Sequence, residues 1–188
     1  MGRFSVVSQD VFRSLQTGAG VLLKNFDPTN PELVDEDIIC ATTGGINPTC
    51  VPEFRDNGED IDNVPNGMLE LMEITRWTTG LGFTALNITA EIIRMILGAA
   101  DIHAETGRIV PRMELKDTDF ANIWWVGDLS DGGLAAVCLK NALSTAGLSL
   151  QTTDDGKGQL AVTLSGHYSI KDQKTVPMEF YVQEGTEE

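Results

Sequence analysis

Near the C-terminus the side chains alternate. Leu160, Val162 and Leu164 fall on one side of an extended chain, and Gln159, Ala161, Thr163 and Ser165 on the other. A period of two is the signature of a β-strand with one buried and one wet face. Leu148 and Leu150 carry the pattern back across a turn at Asp154-Asp155-Gly156-Lys157-Gly158. A second turn at Lys171-Asp172-Gln173-Lys174 leads into a strand over 176–182. Shorter apolar runs at 20–25, 37–42, 109–115, 122–126 and 134–139 read the same way. Residues 68–77 and 81–86, joined by Thr78-Thr79-Gly80, read as a hairpin. The expectation is a mainly β fold, a sandwich or barrel, and the length of 188 residues suits a single domain over 1–188.

One segment has a different period. Ile92, Ile93, Ile96 and Leu97 form a stripe at helical spacing, with Thr89 as N-cap, Glu91 in the first turn and Gly98 as the stop. This helix is expected to flank the sheet. Trp124 and Trp125 adjoin on a strand, so one should face the core and the other outward.

Between 43 and 67 the chain is dense in Gly, Pro, Asn and Asp, including Gly44-Gly45, Pro48, Pro52, Asn57-Gly58 and Pro65-Asn66-Gly67. A loop of about 20 residues is unusual in a compact domain and is commonly functional. Val51, Phe54 and Ile61 inside it argue for docking, because a permanently solvated linker has no use for them. The segment reads as an extended arm, mobile until a neighbouring subunit supplies its contacts. Its contact candidates are Phe54, Asp56, Glu59, Asp60 and Asp62.

Chemistry is hard to find. Glu53, Asp56, Glu59, Asp60 and Asp62 resemble a calcium cluster, but a loop starting at Asp56 puts Gly67 at the twelfth position, where a bidentate Glu belongs. The two histidines, His103 and His167, lie at no zinc-ligand spacing from Cys40, Cys50 or Cys138. No nucleophile elbow occurs, and the glycines at 156–158 lack phosphate-loop spacing. Asn87-Ile88-Thr89 matches a glycosylation acceptor, yet no apolar secretory core precedes it. The expectation is therefore no enzyme, no metal and no cofactor. Three cysteines at irregular spacing suit synthesis in a reducing cytoplasm. The longest apolar stretches, 92–100 and 134–139, are too short to span a bilayer.

With 28 acids against 13 bases the net charge is −15. Such a chain should repel nucleic acid, since DNA affinity rests on Lys and Arg neutralising phosphates.

Taken in order, these elements resemble the major tail tube proteins of long-tailed bacteriophages. The resemblance is carried by Gly18-Ala19-Gly20-Val21-Leu22-Leu23-Lys24-Asn25-Phe26-Asp27-Pro28, by Ala41-Thr42-Thr43-Gly44-Gly45-Ile46, and by the acidic segment from Asp56 to Asn63. The helix and the closing Val176-Pro177-Met178-Glu179-Phe180-Tyr181-Val182 belong to it too. It implies a virion protein, made in the host cytoplasm, whose hexameric rings stack into a tube. Strands from six subunits would close one shared β-barrel, and the long loop would reach an adjacent ring. Its partners would be further copies of itself, the tape measure protein, the tail terminator and distal tail proteins. Double-stranded DNA would pass through without specific binding. The expected lumen strands are 68–86 and the hairpin 148–169, with Glu70, Glu73, Gln159, Thr163, Ser165 and His167 as lining candidates and a negative wall. Alternatives are a tail-completion subunit, a type VI secretion tube subunit, or a small ligand-binding β-sandwich.

Overall fold

The computed structural model describes residue 7 and residues 9–185. The protein is mainly β, with one α-helix among the described residues. Its strands are β1 (Gln16–Leu23), β2 (Thr42–Asp56), β3 (Met72–Ala85), β4 (Ala100–His103), β5 (Arg108–Pro111), β6 (Ala121–Leu129), β7 (Leu134–Ser144), β8 (Ser149–Gln151), β9 (Gln159–Ser165) and β10 (Met178–Gln183). The helix α1 spans Ala90–Leu97.

Eight strands form one antiparallel sheet in the order β1-β6-β7-β9-β3-β2, with β10 added to β7 and β8 to β9. The sheet folds over on itself at β7. Its first half pairs with β6 and β10, whereas Leu143 and Ser144 pair with Ser165 and Leu164 of β9. The corner lies at Asn141, whose φ of 47° is one of three positive values among non-glycine residues described. The β6–β7 register slips there, between Ala121 and Ile123. A bulge of this kind bends a strand and lets it pass from one layer to another. Side chains hold the corner: Asn141 N–H donates to Asn122 Oδ1 (3.1 Å), and Asn141 Nδ2 donates to the His167 carbonyl (2.9 Å).

The folded sheet encloses Leu22, Leu81, Phe83, Ile123, Val137, Leu139, Leu160, Val162, Leu164 and Met178, and α1 adds Ile92 and Ile96. The alternation on β9 holds: Leu160, Val162 and Leu164 are buried, and Gln159, Ala161 and Thr163 are exposed. The helix also forms as its signals dictate. Thr89 Oγ1 accepts from the Ile92 amide (3.2 Å), and Gly98, at φ 74°, ends it. A Cβ at Gly98 would lie 2.8 Å from the Ser144 carbonyl, so packing as well as φ requires glycine. Of the tryptophans, Trp125 packs on the core and donates to the Ala19 carbonyl (2.9 Å). Trp124 turns outward, its ring 5.6 Å from those of Phe26 and Tyr181.

Three expectations are corrected. Residues 68–77 and 81–86 are not a hairpin, since Thr78-Thr79-Gly80 lies inside the single strand β3. Glycine stands at 80 because a Cβ would come within 3.1 Å of both the Leu164 carbonyl and Thr49 Oγ1. It marks a close approach, not a turn. The run 37–42 is not a strand; it touches β1 only through the Leu23–Ile38 bridge and neighbouring backbone bonds. The run 109–115 contributes only β5, which pairs with β4 in a separate two-stranded unit. Arg112, just past β5, tethers that unit through a 2.6 Å ion pair to Asp119. Desolvation pushes the Asp119 carboxyl up, but the Lys116 amide and Arg112 together hold it below its ordinary value.

Candidate assembly surfaces

Residues 43–56 of the expected loop belong to β2, which pairs with β3 over its whole length from Thr42–Ala85 to Asp56–Met72. Only 57–71 connect the two strands. The arm is thus a hairpin rather than a structureless segment. The glycines and prolines that suggested a loop have other uses. Gly44 and Gly45, at φ 75° and 86°, form a bulge between Thr43 and Ile46. Pro48 and Pro52 sit on the open edge of β2. Their partners on β3 are Leu81 and Trp77. The Trp77 backbone bonds away from β2, to Tyr168, so its partner Pro52 points to the free edge, where no donor is needed.

β9 covers β3 only from Gly80 to Ala85. Beyond that point residues 72–79 have β2 as their only strand partner among the described residues, a reach of about 26 Å at ~3.3 Å per residue. A free two-stranded ribbon is at best marginally stable in water. Its two faces differ sharply. Cross-strand partners share a face, which places Val51, Glu53, Arg55, Glu73, Arg76 and Thr78 together. On this face Arg76 Nε lies 2.7 Å from Glu53 Oε2 and Arg55 Nη2 lies 2.6 Å from Glu73 Oε2. Thr78 Oγ1 also donates to Glu53 (2.8 Å). The opposite face carries Cys50, Pro52, Phe54, Ile74 and Trp77, and ends distally at the pair Asp56–Met72. It continues the buried face of Thr79, Leu81, Phe83 and Ala85, so the apolar inner surface of the sheet runs out beyond the core. Phe54 is 59% exposed, Ile74 47% and Met72 41%.

The tip orders itself. Asp56 accepts from the amides of Gly58 (2.8 Å) and Gly67 (2.7 Å), and the Asn57 amide donates to the Leu71 carbonyl (2.9 Å). Asp60 and Asn63 take positive φ values of 65° and 63°, which Asn and Asp tolerate in tight turns. Among the contact candidates, Asp56 is therefore spent inside the loop. Phe54 lies on the apolar face, and Glu59, Asp60 and Asp62 are exposed at the tip.

The lining candidates separate. Gln159, Thr163 and Ser165 on β9 share the outer face of this layer with Glu73, next to Gly80, Gly82 and Thr84 of β3. Glu70 is not on a strand but in a 3-10 turn, Leu69–Leu71. His167 lies past the end of β9 and half-buried, its ring edge-on to Phe120 at 5.5 Å and its Nδ1 3.2 Å from the Asn141 carbonyl. It supports the corner rather than the outer face. That face is not negative: it offers hydroxyls, amides and glycine backbone, and its arginines Arg55 and Arg76 are each paired with a glutamate.

Two surfaces were missed by sequence reasoning. Phe180 (60% exposed) and Val182 (69%) on edge strand β10 extend the inner face of the other layer beyond the core. Their alternation with Glu179, Tyr181 and Gln183 was the available signal. A cleft of about 350 Å³ lies between α1 and the ends of β6 and β7, lined by Ile39, Met95, Ile102, Ile123, Leu143 and Ser144. Lys24 and Glu91 also line it and form a 2.6 Å ion pair.

Reactive groups are scattered. No set of three or more His, Cys, Asp or Glu side chains is placed to hold a metal ion among the described residues. Burial pushes the Cys40 and Cys138 thiols up to about 11, which leaves them protonated and unreactive at neutral pH. No helix among the described residues is long and apolar enough to cross a membrane. Compared with protein-family models, curated proteins and solved structures, the chain matches none.

Proposed function

We propose that the protein is a structural subunit that polymerises into a hollow tube, of the kind formed by phage tail tube proteins, with stacked hexameric rings around a channel for DNA. The observation that carries this reading is the arm. An amphipathic hairpin about 26 Å long, with Phe54, Ile74 and Met72 exposed on one face, has nothing packed over that face among the described residues and is well suited to a neighbouring copy. The outer face of β9 and β3 supports the channel. Small hydroxyl and amide side chains with no unpaired cation give DNA nothing to grip, because phosphate binding depends on available Lys and Arg.

Prolines on the proximal edge of β2 leave few amides for an added strand, so the subunits join there through the arm's apolar face rather than by edge pairing. In this reading Glu59, Asp60 and Asp62 meet the adjacent ring. The work is assembly, without catalysis, metal or cofactor.

Sedimentation of a shortened arm tests the proposal. Joining Val51 to Thr78 through an Asn-Gly turn removes the ribbon beyond that pair and keeps every β3–β9 pair. The shortened protein is expected to stay folded and monomeric at concentrations where the full chain forms large assemblies. Equal assembly by both proteins would defeat the proposal. A second reading, a ligand-binding sandwich, draws on the cleft beneath α1; it requires the full chain to remain monomeric at every concentration.

A further inference from the structure

The arm leaves the body of the protein at one identifiable point. Ladder pairing between β9 and β3 ends at Ser165–Gly80, with one further backbone bond from the Gly166 amide to the Thr79 carbonyl (3.0 Å). The next β3 groups that point the same way are the N–H and C=O of Trp77. No strand among the described residues meets them. The hydroxyl of Tyr168 does: the Trp77 amide donates to it at 2.8 Å, and it lies 3.3 Å from the Trp77 carbonyl as donor. A phenol can accept and donate at once, so one side chain serves in place of one more residue of strand.

Tyr168 projects from a fixed base. The preceding residue, His167, is held on both its ring and its carbonyl by Asn141, the residue at which β7 crosses between the two layers. Asn141 is in turn bonded to Asn122 of β6. A glycine at 166 is required for this path, since a Cβ would meet Thr79 Oγ1 at 2.4 Å and Leu139 Cδ1 at 2.8 Å. The corner of the folded sheet is therefore connected through Asn141, His167 and Tyr168 to the root of the arm. Past Trp77 a β-bulge between Glu53 and Phe54 interrupts the ribbon, and among the described residues no strand outside the ribbon pairs with it.

We infer that Tyr168 is the positioning residue of the arm: its hydroxyl fixes the angle at which the ribbon leaves the body and so presets the geometry in which it meets its partner. The inference rests on the arm being the assembly element, but the clamp itself is a property of the single chain. The test is amide hydrogen exchange on monomeric Tyr168→Phe at low concentration, followed by assembly at high concentration. The phenylalanine keeps the ring and removes only the hydroxyl.

Exchange at Trp77 and in 72–76 is expected to quicken roughly tenfold, from the loss of one or two hydrogen bonds. Exchange at core positions such as Val162 and Leu164 should stay unchanged, and tube formation by the variant should fall. Unchanged exchange at Trp77 would overturn the inference. So would an equal acceleration in the core, which would make Tyr168 a general stabiliser. If the parent protein forms no tubes while the exchange pattern appears as expected, the assembly reading fails and the clamp stands.

Discussion

Glu53 holds two strands together with a single carboxylate. It accepts from Arg76 Nε at 2.7 Å and from Thr78 Oγ1 at 2.8 Å. The Arg76 bond, then the Thr78 bond, keep its carboxyl below the ordinary value of 4.5. Glu73 is lowered in the same way by Arg55 and Asn57. A carboxyl with a depressed folded-state value stabilises the fold above its unfolded value, and that contribution disappears as pH falls through the folded value. The arm is thus expected to loosen below about pH 4.5, before the core does. Exchange of the amides in 72–76, corrected for intrinsic pH effects, should accelerate in that window, and Glu53→Gln should show the acid behaviour already at pH 7. A pH-independent arm would show that the ion pairs do not hold it.

β9 and α1 could be read from the chain because each is specified locally. Leu160, Val162 and Leu164 need only a period of two, and Thr89 and Gly98 bracket the helix within a few residues. β2 could not be read this way. Pro48 and Pro52 argue against a strand unless it is known to be an edge, and that depends on β3 lying on one side only. Gly80 misled for a related reason: the neighbours it makes room for, Leu164 and Thr49, are distant in sequence. The corner at Asn141 depends on His167 and Asn122, so nothing local announces it. Phe54 and Val51 are exposed apolar residues, as a docking segment requires, but the division of the ribbon into a charged and an apolar face needed the register. That division makes a sharp demand. Ile74→Asp, on the apolar face, should abolish assembly while shifting thermal stability little, because Ile74 is 47% exposed and supports no core residue. Thr78→Asp, on the opposite face, should be the milder change. The reverse order, read by light scattering, would place the contact on the wrong face.

Each copy carries a net charge of −15, so copies brought together repel unless salt screens them. The exposed apolar surfaces of the arm and of β10 work in the opposite direction, and patches of this kind mark interaction sites rather than idle surface. In the proposed reading, this balance sets the concentration and salt at which monomers assemble. Its described residues hold no gathered set of reactive groups, and its most distinctive surfaces are a ribbon with one greasy face and a wall of small polar side chains. Electron microscopy of the purified protein in negative stain, at high concentration and about 0.15 M salt, tests whether those surfaces build a tube. Hollow filaments of uniform width with a six-fold cross-section are the predicted result. Dispersed monomers at every concentration, or solid aggregates without a channel, would contradict it.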